Sequence, residues 1–337
     1  YNCEKYLFEL QAELKALGSQ SQPVFAHAPC AEVSTFADTR SNCSYKPQPY
    51  KYFVIREPKE RIISVAAFRD RVVHHALVNI IEPYFEAAFI KDSYATRKNK
   101  GLHLAVQAAQ NYACEYQWYL KLDIEKFFAS VNHEILLKLI NRKIKDPAVM
   151  SLCRIILSNQ TVSMGLGNKK ELHMGSKGLP VGNLTSQFFA NIYLNQLDHF
   201  VKQSLGYRAY VRYMDDFVLF SDDPIELKQA LEQIKQFVQQ QLELRIKPKS
   251  VQINRVSLGI PYLGYRIFPK LLRIRQENLK RCMKGIEKSE QAYIKGKISA
   301  EVLYQSTRSR MGFIGYARST QLLQSIWGRN QQAGLTG

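Results

Sequence analysis

At 337 residues the chain is long for a single core, so two or three lobes are expected. A formal net charge of +18 suits a polyanionic partner and equally suits a merely basic protein, so charge alone excludes little. No apolar run reaches about 18 residues, which excludes a membrane-spanning helix. The six cysteines (Cys3, Cys30, Cys43, Cys114, Cys153, Cys282) show neither C-x-x-C pairs nor zinc spacing with the seven histidines, and read as free thiols of a reducing compartment.

In chain order, residues 1–18 carry a helical pattern (Tyr6, Leu7, Leu10, Leu14, Leu17) ended by Gly18. Residues 19–50, with Pro23, Pro29, Pro47 and Pro49, read as loop. Residues 51–115 mix a strand pair with helices, the clearest running from His74 to Phe85. His74 and His75 are neighbours on that helix, cannot chelate from one face, and read as structural. The run Trp118 to Asp123 reads as a strand that ends on a carboxylate, followed by a helix from Asn132 to Asn141. Thr161 to Ser176 reads as a hairpin or loop. Gly178-Leu179-Pro180-Val181-Gly182-Asn183-Leu184-Thr185-Ser186-Gln187 is a glycine loop opening a buried helix, its glycines allowing close backbone approach.

Tyr210 to Phe220 is two apolar, β-branched and aromatic runs broken by Asp215-Asp216. That reads as a hairpin, yet Asp-Asp is poor turn chemistry and two anions at a tip repel unless a cation sits there. A rule broken without local gain points to function. Asp222-Asp223 is an internal control: Pro224 and an apolar-periodic stretch follow it, so Asp223 reads as an N-cap and Glu226 as a dipole complement. An acidic pair alone therefore means little. The support for Asp215 is Asp123, since a carboxylate at a strand end can meet a hairpin tip on a neighbouring strand. Strand, helix, strand, strand, helix, strand over about 117–265 fits a split βαβ unit in an α+β fold. From Arg266 to Gly337 there are fourteen Lys or Arg against four Glu, which reads as a basic helical lobe.

The lone aspartate closing a strand, the Gly-Leu-Pro-Val-Gly loop with Ser186, and Tyr213-Met214-Asp215-Asp216 on a hairpin together resemble a reverse transcriptase. Further segments match in family order: Pro58 to Ile63, Phe68 to Leu77, Asp92 to Gly101, Leu244 to Ser250 and Tyr262 to Tyr265. Val181 and Gln187 stand where group II intron and retron enzymes usually carry Gln and Pro. With Phe68-Arg69-Asp70-Arg71 they are similar to the reverse transcriptases of diversity-generating retroelements.

The resemblance implies a right-hand polymerase: fingers with an N-terminal extension over 1–116, palm over 117–265 with a fingers insertion near 145–180, and a basic helical thumb over 266–337. It implies cDNA synthesis from a template-repeat RNA, error-prone at template adenines, with two Mg²⁺ ions for which Mn²⁺ can substitute. Asp123 and Asp215 would ligate the metals with the backbone carbonyl of Ile124, and Asp216 would support them. Lys249 is the candidate general acid, with Lys247 as its rival. Lys59 and Arg61 would hold the triphosphate of the incoming dNTP. Phe128 would exclude a 2′-hydroxyl, beside Val181, Gly182 and Gln187, while Phe127 reads as core. Arg69 would meet the template, and Tyr262, Leu263 and Gly264 the primer. Arg273, Arg275, Lys280 and Lys284 would hold backbone phosphates.

The implied partners are template RNA, primer or cDNA, and the accessory variability determinant protein, a small basic oligomer. The implied place is the cytoplasm of a prokaryotic or phage-infected cell. Alternatives are a retron or intron-like enzyme, or a non-catalytic RNA-binding protein; an RNA-dependent RNA polymerase fits less well with Phe128 present. No length beyond the thumb is left for a maturase or RNase H domain. The chain starts at Tyr1, which leaves targeting open.

Overall fold

The computed structural model describes residues 45–56, 60–159 and 176–317. The expected helix over 1–18, Pro58, Lys59 and most of the expected hairpin after Thr161 lie outside the described residues, as do Cys3, Cys30 and Cys43. The elements in chain order are β1 (Lys51–Ile55), β2 (Arg61–Val65), α1 (Phe68–Glu86), α2 (Leu102–Glu115), β3 (Trp118–Asp123), α3 (Phe127–Ser130), α4 (His133–Lys143), α5 (Pro147–Ser158), α6 (Leu184–His199), β4 (Tyr210–Tyr213), β5 (Asp216–Ser221), α7 (Pro224–Leu242), β6 (Gln252–Arg255), β7 (Ile260–Tyr262), β8 (Tyr265–Ile267), β9 (Leu272–Ile274), α8 (Gln276–Ile294) and α9 (Ala300–Tyr316). No described helix is long and apolar enough to cross a membrane.

The chain forms two compact units. One draws on Tyr1–Lys91, Ile124–Phe200 and Ile234–Lys247, the other on Asp92–Asp123, Val201–Gln233 and Pro248–Gly337.

In the first unit α6 is the central helix. Phe188, Phe189, Ile192, Tyr193, Leu194 and Leu197 are all buried, and α1 and α4 pack against it. A helix apolar all round belongs in an interior. α1 faces inward with Val73, Leu77, Val78, Ile81 and Phe85, the helical spacing already visible in the shorter stretch from His74 to Phe85. Two helices start on side-chain caps. Asn132 accepts from the Glu134 and Ile135 amides, and Asp146 from those of Ala148 and Val149 with Pro147 at the first helical position. Such caps are each worth about 1 kcal/mol. β1 and β2 pair antiparallel in a two-stranded sheet.

In the second unit the four-stranded sheet runs β4-β5-β3-β6, every pair antiparallel. The first strand in the chain lies between the last and the third, which is the split βαβ order. Val211, Val218, Phe220 and Tyr119 join a core with Ala105, Val106, Ala109 and Ala113 of α2. The alanines allow that helix close approach, and cutting Phe220 to Ala would cost about 3–5 kcal/mol. Phe217, fully buried on β5, has Tyr210 of β4 as its edge-on neighbour. A three-stranded sheet, β7-β8-β9, precedes the helical pair α8 and α9.

The segment after Arg266 is therefore helical only from Gln276, and Arg273 sits on a strand. Leu272 and Ile274 pair with Ile267 and Tyr265, a two-residue period too short to outweigh the basic helical pattern that follows.

Candidate active site

β3 and β5 bring the carboxylates together. Their register sets Asp123 directly opposite Asp216, so the two side chains share one face of the sheet. Like charges directly opposite each other destabilise a strand pair. Asp216 is thus the first residue of a strand, and the hairpin tip is Met214-Asp215 rather than the acidic pair itself. Met214 takes φ +54°, the left-handed region that a non-glycine residue enters at a cost of order 1–3 kcal/mol.

Burial pushes the Asp216 carboxyl up to about 7; Lys121 opposes that shift, and the neighbouring charges of Asp123 and Asp215 add to it. Lys121 lies two residues before Asp123 on the same face. Its Nζ stands 3.0 Å from Asp216 Oδ1, close enough to pair electrostatically. Oδ1 is buried, with the Lys121 ammonium as its charge partner.

Asp216 with the charges of Asp123 and Asp215 beside it is an oxygen donor set that a hard divalent cation would complete. Among the described residues no three His, Cys, Asp or Glu side chains already form a metal cage.

Supports converge on the same strands. Ser250 Oγ donates to the Asp123 carbonyl (3.3 Å), beside the exposed Lys249. The Tyr262 hydroxyl donates to the Asp216 carbonyl (3.3 Å), and burial with the nearby Asp216 charge holds that phenol well above its usual range. Tyr262 is therefore buried beneath the start of β5. Leu263 and Gly264 form the β7–β8 tip at φ +46° and +92°. A Cβ on Gly264 would stand 2.7 Å from Asn278 Nδ2, whose amide donates to the Gly264 carbonyl. Arg273, Lys280 and Lys284 are exposed; Arg275 is half-buried and pairs with Glu277 at 3.2 Å.

The first unit holds the other expected residues. Ile124, one step past Asp123, is buried and bridges to Ile246. Phe127 is buried core and Phe128 half-exposed. The Leu179 amide donates to the Phe128 carbonyl (2.6 Å), the Gly178 amide to that of Val131 (2.7 Å), and the Ser64 amide of β2 to that of Val181 (2.8 Å). Gly182, at φ +116°, lies so close to β2 that a Cβ would meet Ile63 at 2.8 Å. The glycine loop is thereby pinned between β2, which begins at Arg61, and the residue bearing Phe128. Gln187 is half-exposed in the first turns of α6. Arg69 lies over the Tyr45 ring at 5.5 Å.

Four residues escaped the sequence reading. Arg212, fully buried on β4, donates to the Met214 carbonyl (3.1 Å); Lys121 pairs with Asp216. Each is a lone cation within an apolar strand, and that was the available signal. His133 is buried and donates through Nε2 to the Gly178 carbonyl (2.6 Å), while burial lowers its pKa. Asn183 is buried at the head of α6 with Nδ2 unpartnered among the described residues.

A family model described as reverse transcriptase (RNA-dependent DNA polymerase) matches residues 48–267, roughly two thirds of the chain. The chain belongs to the reverse transcriptase family. Membership makes it an RNA-dependent DNA polymerase, a nucleotidyltransferase in a family that generally uses divalent metal ions such as Mg²⁺. This reverse transcriptase is 25% identical to protein YkfC of Escherichia coli K12, over 72% of each chain. It is 30% identical to the group II intron-encoded protein LtrA of Lactococcus lactis, over 48% of this chain and 26% of LtrA. The match thus spans about a quarter of LtrA's length. Its fold is similar to that of apo telomerase from Candida tropicalis, with a TM-score of 0.54 at 11% identity, covering 95% of this chain and 63% of that one.

Proposed function

We propose that this reverse transcriptase serves a diversity-generating retroelement, copying a template-repeat RNA into cDNA with errors concentrated at template adenines. The observation that carries this reading is Val181. Its backbone is pinned to β2 and its side chain offers neither donor nor acceptor in a loop that would meet the incoming nucleotide. A glutamine there can hydrogen-bond to a correctly placed nucleotide; valine penalises a misplaced one little. One hydrogen bond is worth about 0.5–1.5 kcal/mol, or roughly two- to tenfold in discrimination.

In this reading Asp123 and Asp215, with the Ile124 carbonyl, hold the two divalent ions, and Asp216 with Lys121 supports them. When bound, the ions activate the attacking oxygen and stabilise the leaving one. Lys249 protonates the departing pyrophosphate, Lys59 and Arg61 grip the triphosphate, and Phe128, Gly182 and Gln187 shape the sugar pocket. Arg69 bears on the template. Leu263 and Gly264 bear on the primer, with Tyr262 holding them to the catalytic strand. The thumb cations bear on backbone phosphates. The fingers, palm and thumb boundaries are those drawn from the sequence, the partner is the accessory variability determinant protein, and the setting is a reducing cytoplasm.

A second reading, an intron-type reverse transcriptase, is favoured by the similarity to LtrA. Sequencing cDNA made on a defined RNA template separates the two. We expect errors mainly opposite adenine, falling two- to tenfold in Val181→Gln. Errors spread evenly over the four template bases, or unchanged in the variant, would favour the intron-type reading.

A further inference from the structure

Arg212 is a cation with no exposed surface, placed one residue before the Tyr213-Met214-Asp215-Asp216 tip. A buried guanidinium is costly unless hydrogen-bonded, and this one is committed in two directions. Nη1 donates to the Met214 carbonyl at 3.1 Å and Nη2 to Ser93 Oγ at 3.0 Å. Ser93 is itself fully buried. The backbone repeats the link: the Arg212 amide donates to the Asp92 carbonyl (2.9 Å) and the Tyr94 amide to the Arg212 carbonyl (3.0 Å), laying residues 92–94 beside β4. That segment is anchored in turn by Lys202 on the Asp92 carboxylate (2.7 Å) and by Arg97 Nη1 on the Ser93 carbonyl (2.8 Å).

The atom that Arg212 grips matters more than the number of contacts. The Met214 carbonyl belongs to the peptide plane that leads into Asp215. Met214 sits at φ +54°, a left-handed conformation that is costly for a methionine and that the chain would leave if the backbone of Met214 reorganised, carbonyl included. Such a reorganisation would move Asp215, the next residue in the chain, whose charge lies close enough to act on Asp216. A bond from a rigid, fully buried donor to this carbonyl opposes the reorganisation, and Ser93 fixes the donor.

We propose that Arg212 is a positioning residue of the metal site: by gripping the Met214 carbonyl it holds the left-handed hairpin tip so that Asp215 is preset to take a divalent cation, with Ser93 orienting the guanidinium. This rests on the reading of Asp123 and Asp215 as metal ligands.

The test is Mn²⁺ binding to the purified protein without nucleotide or nucleic acid, followed by electron paramagnetic resonance of the free ion. Asp215→Ala should lose the tight site, which checks the underlying reading. Arg212→Lys and Ser93→Ala leave the core filled and are the deciding variants. Each should bind Mn²⁺ about three- to tenfold more weakly than the parent, the loss of one hydrogen bond. Adding Met214→Asn to Arg212→Lys should recover part of the loss, because asparagine tolerates the left-handed region; a merely structural role would not be rescued this way. Parental Mn²⁺ affinity in both deciding variants, with Asp215→Ala defective, overturns the role of Arg212. Parental affinity in Asp215→Ala overturns the metal reading instead.

Discussion

Asp216 carries a proton at pH values where an ordinary aspartate has lost it, because burial disfavours its charge and Asp123 and Asp215 add to the penalty. Between about pH 4 and about 7 the folded chain binds a proton there that the unfolded chain has released. Stability from this group therefore falls as pH rises through that window and changes no further above it. In protein free of divalent ions, Asp216→Asn should raise the Tm at pH 8 by at least about 3 °C and have a much smaller effect at pH 4. Thermal unfolding at the two pH values checks this, and equal shifts at both would mean that Asp216 is ordinarily ionised. Asp223 shows the contrast. It belongs to a similar acidic pair, yet it accepts the Ile225 amide at 2.7 Å at the head of α7, as an N-cap should. The sequence distinguishes the two pairs because Pro224 and helical periodicity follow only the second. It could not show Lys121 or Arg212 as partners of the site. Both occupy strands where alternation suggests a solvent-facing position, and only the register reveals the carboxylate or carbonyl each one meets.

At the scale of elements, the hairpin of β4 and β5, the strand ending at Asp123 and the helix after Pro224 were legible, because each has enough residues for its period to repeat. β8 and β9 have three residues each and were hidden under a basic stretch whose stronger pattern is helical. That correction bears on how the basic residues act. Arg273 projects from a strand, Lys280 and Lys284 from α8, and Arg275 is already engaged with Glu277. Neutralising all four should weaken template–primer binding and reduce the slope of log affinity against log salt by about two to three, since each lost phosphate contact removes roughly 0.7–0.9. A titration of binding against salt decides it. An unchanged slope would assign these side chains to solvent or to a protein partner.

At the scale of the whole molecule, both compact units are built from separated stretches of chain. The four-stranded sheet alone gathers residues from 118 to 255. Local patterns name the strands but not their order, and the order is what sets Asp123 opposite Asp216. The sequence still pointed to those residues because each breaks a local rule: a carboxylate ends an apolar strand, and an acidic pair interrupts two apolar runs. The polymerase reading stands on what that pairing does. Primer extension on an RNA template with dNTPs and Mg²⁺ tests it most directly, using the parent chain beside Asp123→Ala and Asp215→Ala, with circular dichroism to confirm that each variant is folded. The account predicts cDNA from the parent and a loss of at least about a thousandfold in either variant, equivalent to about 4 kcal/mol of transition-state stabilisation. Parental rates from a folded Asp123→Ala or Asp215→Ala protein would contradict it.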